Sequence, residues 1–250
     1  TEVGKLLMRG AADTVKKISL ELGGHAPFII TNNADIDKAV EGAIASKFRN
    51  AGQTCVCANR ILVQKGVYEE FVKRYTEKVS SLKIGNGLET GVEIGPLINQ
   101  EAIDKAMAHL RDAQEKGGEV LTGGQVLSDS NGYYLTPAVI TGATDDMQCM
   151  QEETFGPIAP IAPFENVEEA VERANNTPFG LAAYVYSDKI SEAIYIAENL
   201  EYGIVGVNDG LPSVAQAPFG GFKQSGLGRE GSHHGIDEFL EVKYISLGLN

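Results

Sequence analysis

PFIITNNADIDKAVEGAIASKFRNAGQTCVCANRILV, residues 27–63, carries two short apolar runs on either side of a helical stretch. Pro27–Ile30 and Arg60–Val63 read as strands, bounded by turn residues and rich in branched side chains. Between them, Ala34–Phe48 sets Val40, Ile44 and Phe48 four residues apart, on one face of a helix. Strand, helix, strand is the unit from which parallel sheets are built.

The same alternation continues outward. Upstream, Lys17–Leu22 reads as a strand. Downstream, Val67–Leu82 reads as a helix with an apolar stripe of Tyr68, Phe71, Val72, Tyr75, Val79 and Leu82. A Gly-rich loop (85–96) leads to a helix over Glu101–Lys116, then to strands near Glu119–Leu121 and Ala138–Thr141. Ile158–Phe164 is strand-like, but Pro160 and Pro163 confine it to an edge or an irregular segment. Asn166 and Glu169 have capping-box spacing and start a helix ending near Asn175. Leu181–Tyr186 (strand), Ile190–Leu200 (helix) and Gly203–Val207 (strand) complete the pattern. The expected class is α/β, a mostly parallel twisted sheet flanked by helices, with its ligand crevice beyond the carboxyl ends of the strands. Phe239–Leu247 alternates polar and apolar residues, as a half-exposed strand suited to pairing with another subunit.

Bulk numbers narrow the function. The 250 residues are 43% hydrophobic and 22% charged, and the net charge is −13. Such a field repels phosphate backbones, so nucleic acid is not an expected partner. No apolar run approaches a membrane span, and no signal peptide opens the chain, so no membrane partner is expected. With three cysteines (Cys55, Cys57 and Cys149), a disulfide framework is not expected, and a reducing compartment, the cytoplasm, is. The opening Thr1-Glu-Val-Gly-Lys runs straight into Leu6-Leu7-Met8, like a helix start cut from something longer.

Cys55 follows a Gly-containing turn, where Gly52 and Gln53 loosen the backbone and a helix-start position lowers a thiol pKa. Its plain alternative is a small buried filler. A cysteine protease needs a positioned His, and His25, His109, His233 and His234 sit in no such setting. A metal site needs more than Cys55-x-Cys57, so no metal is expected. Glu21, at a strand end before Gly23-Gly24, is the candidate general base, because the Gly pair permits close approach of backbone and ligand.

Four motifs then occur in order: Glu21-Leu-Gly-Gly24, Gly52-Gln-Thr-Cys55, Glu152-Glu-Thr-Phe-Gly-Pro157 and Pro218-Phe-Gly-Gly221. Together they resemble the C-terminal, catalytic half of an NAD(P)-dependent aldehyde dehydrogenase, and the match runs through essentially the whole chain. Thr1-Glu-Val-Gly4 is similar to the end of the family's Gly-Ser-Thr-Glu-Val-Gly. The family's oxyanion Asn and adenosine-ribose Lys fall upstream of Thr1. The resemblance implies residues 1–22 as a remnant of the Rossmann-like cofactor domain. It implies 23–235 as the catalytic domain, with a return segment toward the cofactor domain near its end, and 236–250 as an oligomerisation strand in a homodimer or homotetramer.

It also implies roles. Cys55 attacks the aldehyde, its N–H helps hold the oxyanion, and Glu21 activates the water that releases a free acid. NAD or NADP is the cofactor. Glu153 binds the nicotinamide-side ribose, Phe155 packs beside the nicotinamide, and Gly23 belongs to the cofactor-binding set. Glu152 is a surface carboxylate. The run 47–59 resembles the succinate-semialdehyde dehydrogenase branch, as do 207–213 and 223–231. In that branch Arg49 and Ser213 hold the distal carboxylate of a small acidic aldehyde. Glutarate semialdehyde is the alternative substrate. A chain without most of its cofactor site is also compatible with a non-redox assembly unit or a thiol esterase. Cys57 has two readings, a reversible disulfide partner of Cys55 and a packing residue. Cys149, Tyr184 and Tyr186 read as structural.

Overall fold

The structure, a computed structural model, describes residues 1–127 and 132–249. In chain order the elements are helix α1 (Glu2–Ala12), β1 (Leu20–Glu21), β2 (Ala26–Ile30), α2 (Ile36–Phe48), β3 (Ala58–Gln64), α3 (Tyr68–Ser80) and α4 (Gln100–Glu115). They continue with β4 (Glu119–Thr122), β5 (Ala138–Thr141), α5 (Gln148–Gln151), β6 (Ile158–Phe164), α6 (Val167–Asn175), β7 (Phe179–Gly180) and β8 (Ala182–Tyr186). Last come α7 (Ile190–Asn199), β9 (Ile204–Val207), β10 (Phe222–Lys223), β11 (Gly226–Leu227) and α8 (His234–Asp237).

Among the described residues, seven strands form one sheet in the order β4-β5-β6-β3-β2-β8-β9. Every neighbouring pair is parallel except β4–β5. Helices cover both faces, so β2 is buried at every position, as a continuous apolar run requires. Phe28 stacks on Tyr184 and Tyr186 from β8, which places these tyrosines in the core as structural residues, and Cys149 is buried too. The helix starts follow their capping residues. Asp35, Asn99 and Asn166 each accept a hydrogen bond from a backbone N–H in the first turn of α2, α4 and α6. Glu169 completes the α6 cap one residue earlier than the box pattern predicts, accepting from the Glu165 N–H at 2.8 Å.

Two expectations are corrected. Ile158–Phe164 is a central strand, not an edge or an irregular segment. Its β5 ladder ends at Pro160 and its β3 ladder begins at Ile161. Each half of β6 is therefore paired mainly on one side, so the missing proline N–H groups are tolerated. The Lys17–Leu22 strand shrinks to Leu20–Glu21, paired antiparallel with Leu227–Gly226 of β11. Residues 239–249 form no ladder, and Val242 and Tyr244 are 99% and 87% exposed. Within a single chain no sheet edge supplies their hydrogen bonds. Asn250, the last residue of the expected strand, lies outside the described residues.

Candidate active site

Three loops meet at one end of the sheet. Gly24 lies just before β2, Cys55 just before β3 and Glu153 just before β6. Because these strands are parallel, the site sits at their amino ends, against the expectation of a crevice at the carboxyl ends. It also lies where α2 finishes, the negative end of a helix dipole, and the Cys55 thiol is raised rather than lowered.

The turn before Cys55 is tightly held, where the Gly52-Gln53 pair was expected to loosen it. Asn50, Ala51 and Gly52 have φ of 50°, 56° and 80°, three consecutive left-handed residues. The Gln53 side chain donates to the carbonyls of Asn50 (3.0 Å) and Pro96 (3.3 Å) and accepts from the Ile98 N–H (2.9 Å). At Gly52 a Cβ would lie 2.3 Å from the Gly156 carbonyl oxygen, so only glycine lets the two loops touch.

The Gly23-Gly24 pair makes room for the neighbouring Glu153 and Cys55 loops. Gly24 donates its N–H to Glu153 Oε1 at 2.9 Å. A Cβ on Gly24 would stand 2.3 Å from the Cys55 carbonyl oxygen, and one on Gly23 would stand 3.0 Å from Glu153 Oε2. Cys55, Glu21, Gly23, Glu153 and Phe155 all line one cavity of about 510 Å³. Phe155, with φ 54°, is 40% exposed as a residue.

Burial sets the electrostatics. It raises the Cys55 thiol, and the charges of Glu153 and then Glu21 raise it further. Cys55's N–H has no acceptor in another described residue and lies against its own thiol. Burial also pushes Glu21 up to about 7, helped by Glu230 and opposed by Arg229. Its Oε2 is buried without a hydrogen-bond partner among the described residues. Glu153 is raised by burial as well, although the Gly24 N–H favours its ionised form.

Sequence reading assigned Arg229 and Glu230 no role. They reach Glu21 because β11 pairs with β1, and with Glu21 they line a second cavity of about 710 Å³. Nothing local in the sequence signals that pairing. Lys47 was missed too. It is fully buried beneath the Cys55 turn, with no partner for Nζ among the described residues. Burial pulls it down to about 8, against the opposing pull of Cys57, Cys149 and Glu153.

The remaining candidates stand apart from the cavity. Arg49 is exposed and makes no side-chain hydrogen bond or ion pair among the described residues. Ser213 Oγ is buried without a partner there. Cys57 is 1% exposed, with Sγ 2.8 Å from Thr54 Oγ1 and 3.7 Å from the Arg49 carbonyl, so it sits as a packing residue. All three cysteines are free. Glu152 is exposed, 3.5 Å from the ring of buried His109.

Residues 1–245 match the aldehyde dehydrogenase family. The chain belongs to that family. It is 53% identical over 99% of its length to a probable succinate-semialdehyde dehydrogenase [NADP(+)] of Sinorhizobium fredii, covering 50% of that protein. It is 51% identical over its whole length to a glutarate-semialdehyde dehydrogenase of Pseudomonas putida, covering 51% of it. A solved succinate-semialdehyde dehydrogenase of Burkholderia pseudomallei superposes with a TM-score of 0.95 at 54% identity, over 98% of this chain and 50% of that one. The chain thus spans about half the length of these relatives.

Proposed function

We propose that this chain is the catalytic portion of an NAD(P)-dependent dehydrogenase that oxidises succinate semialdehyde to succinate. The observation that carries the reading is one cavity shared by a nucleophile, Cys55, and a carboxylate, Glu21, held near 7. A base is most effective when its pKa lies near the working pH. The Cys55 sulfur attacks the aldehyde carbon, its proton passes to Glu21, and a tetrahedral thiohemiacetal forms. The Cys55 N–H, which meets only its own thiol among the described residues, would donate to the oxyanion once the sulfur is bonded to carbon. When bound, NAD(P)+ supplies the hydride acceptor that turns the thiohemiacetal into a thioester. Glu21, having released that first proton to solvent, takes a proton from the water that attacks the thioester carbon and returns it to the departing Cys55 sulfur. The unpartnered Glu21 Oε2 suits that water.

The residues present fit a nicotinamide cofactor. Glu153 keeps one oxygen on the Gly24 N–H and the other beside Gly23, and the partly exposed Phe155 lines the same cavity. These residues would hold the nicotinamide end. We assign residues 1–22 to the cofactor domain, 23–235 to the catalytic domain and 236–250 to a strand pairing subunits in a homodimer or homotetramer. The unladdered, exposed 239–249 segment supports the last assignment. Three free thiols suit a reducing, cytoplasmic setting. Among the described residues no helix is long and apolar enough to cross a membrane. A bridge between Cys57 and Cys55 would first require withdrawing Cys57 from the core.

Arg49 and Ser213 are proposed to hold the distal carboxylate, supported by a guanidinium without an ion pair and a buried hydroxyl without a partner among the described residues. The test is protection of Cys55 from iodoacetamide by succinate semialdehyde. Arg49→Ala should raise the half-protecting concentration about tenfold or more, as loss of a charged hydrogen bond implies. Protection by butyraldehyde should not change. Equal protection by succinate semialdehyde in both proteins removes Arg49 from the site. The Pseudomonas putida relative favours glutarate semialdehyde as a second reading, and stronger protection by the C5 aldehyde would select it.

A further inference from the structure

Asn59 occupies a position that the reaction scheme above does not use. Its side chain is 2% exposed and both ends are engaged. Nδ2 donates to the Cys57 carbonyl at 2.9 Å, and Oδ1 accepts from the Thr154 N–H at 3.1 Å. A flipped amide would face donor to donor and acceptor to acceptor, so its orientation is determined. One side chain therefore ties the turn carrying Cys55 to the loop carrying Glu153 and Phe155.

Each side of that tie is braced. On the nucleophile side, the Cys57 N–H donates to the Thr54 carbonyl at 3.2 Å and Sγ meets Thr54 Oγ1 at 2.8 Å. Thr54, Cys55 and Cys57 thus form one compact turn. On the other side, buried His109 of α4 holds the Thr154 hydroxyl, with Nδ1 3.2 Å from Oγ1. Its Nε2 lies 3.5 Å from Glu152, and Lys105 of α4 donates to the Glu153 carbonyl at 2.5 Å. With Glu152 ionised, His109 donates from Nε2 and accepts the Thr154 hydroxyl at Nδ1. The continuous path is His109, Thr154, Asn59, Cys57, and every side chain on it is buried.

We propose that Asn59 is a positioning residue that sets the separation between the Cys55 turn and the Glu153–Phe155 loop, with His109 bracing Thr154 from the far side. The inference rests on the reading of Glu153 and Phe155 as the cofactor-facing side of the site. Its physical basis is the cost of unmade buried hydrogen bonds. Without the Asn59 amide, the Thr154 N–H has no partner in the interior and the Cys57 carbonyl loses its side-chain donor, so the loops must part or admit water.

Separation of the loops is readable at Cys55, because besides its own N–H and Cys57 the charged groups facing it are Glu153 and Glu21. Asn59→Leu keeps the shape and removes both bonds. On the purified protein, iodoacetamide alkylation of Cys55 should move to lower pH as Glu153 withdraws, with Cys55→Ser as the blank. Hydrogen exchange at the Thr154 amide should accelerate about tenfold, in keeping with the loss of one buried bond. His109→Phe, at the other end of the path, should loosen the same amide, and His109→Asn, which can still accept from the hydroxyl, should restore part of it. Glu153→Gln should shift the alkylation profile in the same direction as Asn59→Leu. If Glu153→Gln shifts the profile while folded Asn59→Leu and His109→Phe leave it and the Thr154 amide unchanged, the positioning role of Asn59 is wrong and the placement of Glu153 stands. If Glu153→Gln also leaves the profile in place, both readings fall.

Discussion

Glu21→Gln should stabilise the protein at alkaline pH while stopping turnover. Burial lifts the Glu21 carboxyl from its ordinary 4.5 to about 7. Between those values the native state holds a proton that the unfolded chain has released, so stability falls as pH rises through this window. Below about pH 4.5 both states are protonated and the effect vanishes; above about pH 7 it is complete. At about 1.36 kcal/mol per pH unit the full rise corresponds to about 3.4 kcal/mol. Glu21 is only half-buried and borders two cavities, so solvent screening reduces this to about 1–2 kcal/mol. Gln has the same shape and no charge. Urea unfolding of both proteins at about pH 5 and about pH 8.5 gives the difference of differences, in which every other titrating group cancels. The variant should gain about 1–2 kcal/mol on the wild type between the two conditions. On the proposed mechanism, the ionised carboxylate that weakens the fold is the form that activates water. Deacylation after an activated ester should therefore rise through about pH 7 in the wild type and be lost in the variant. A variant whose stability tracks the wild type at both pH values, or falls below it at the higher one, refutes the burial argument for this base.

Two further substitutions test the packing beneath the site. Gly24→Ala places a methyl 2.3 Å from the Cys55 carbonyl oxygen, a backbone atom that cannot rotate away. It should cost about 1–3 kcal/mol in urea unfolding and change the Cys55 alkylation rate, whereas a silent substitution contradicts the loop contact. Lys47→Met removes a buried ammonium that has no partner among the described residues. It should stabilise the chain at neutral pH by about 1–4 kcal/mol. Because the folded Lys47 releases its proton at about 8 rather than 10.5, wild-type stability rises across that interval and the advantage of Met should shrink with it. Destabilisation by Met at neutral pH would show that Lys47 is paired after all.

Read alone, the chain disclosed what local chemistry encodes. Strands and helices were legible because their apolar period and capping residues lie within one stretch, as in 27–63. The four ordered motifs marked the family and singled out Cys55, Glu21, Glu153 and Phe155, which line one cavity. What the folded chain alone decided lies between residues far apart in sequence. Gly24 and Glu153 bond across 129 residues, and Thr154 and Asn59 across 95. Such pairings put β6 in mid-sheet despite its prolines, moved the site to the amino ends of the strands and brought Glu230 beside Glu21. They also buried the Cys55 thiol and so raised it. Periodicity and turn chemistry are properties of neighbours along the chain, but burial and electrostatic fields are set by neighbours in space, and those exist only once the sheet has formed.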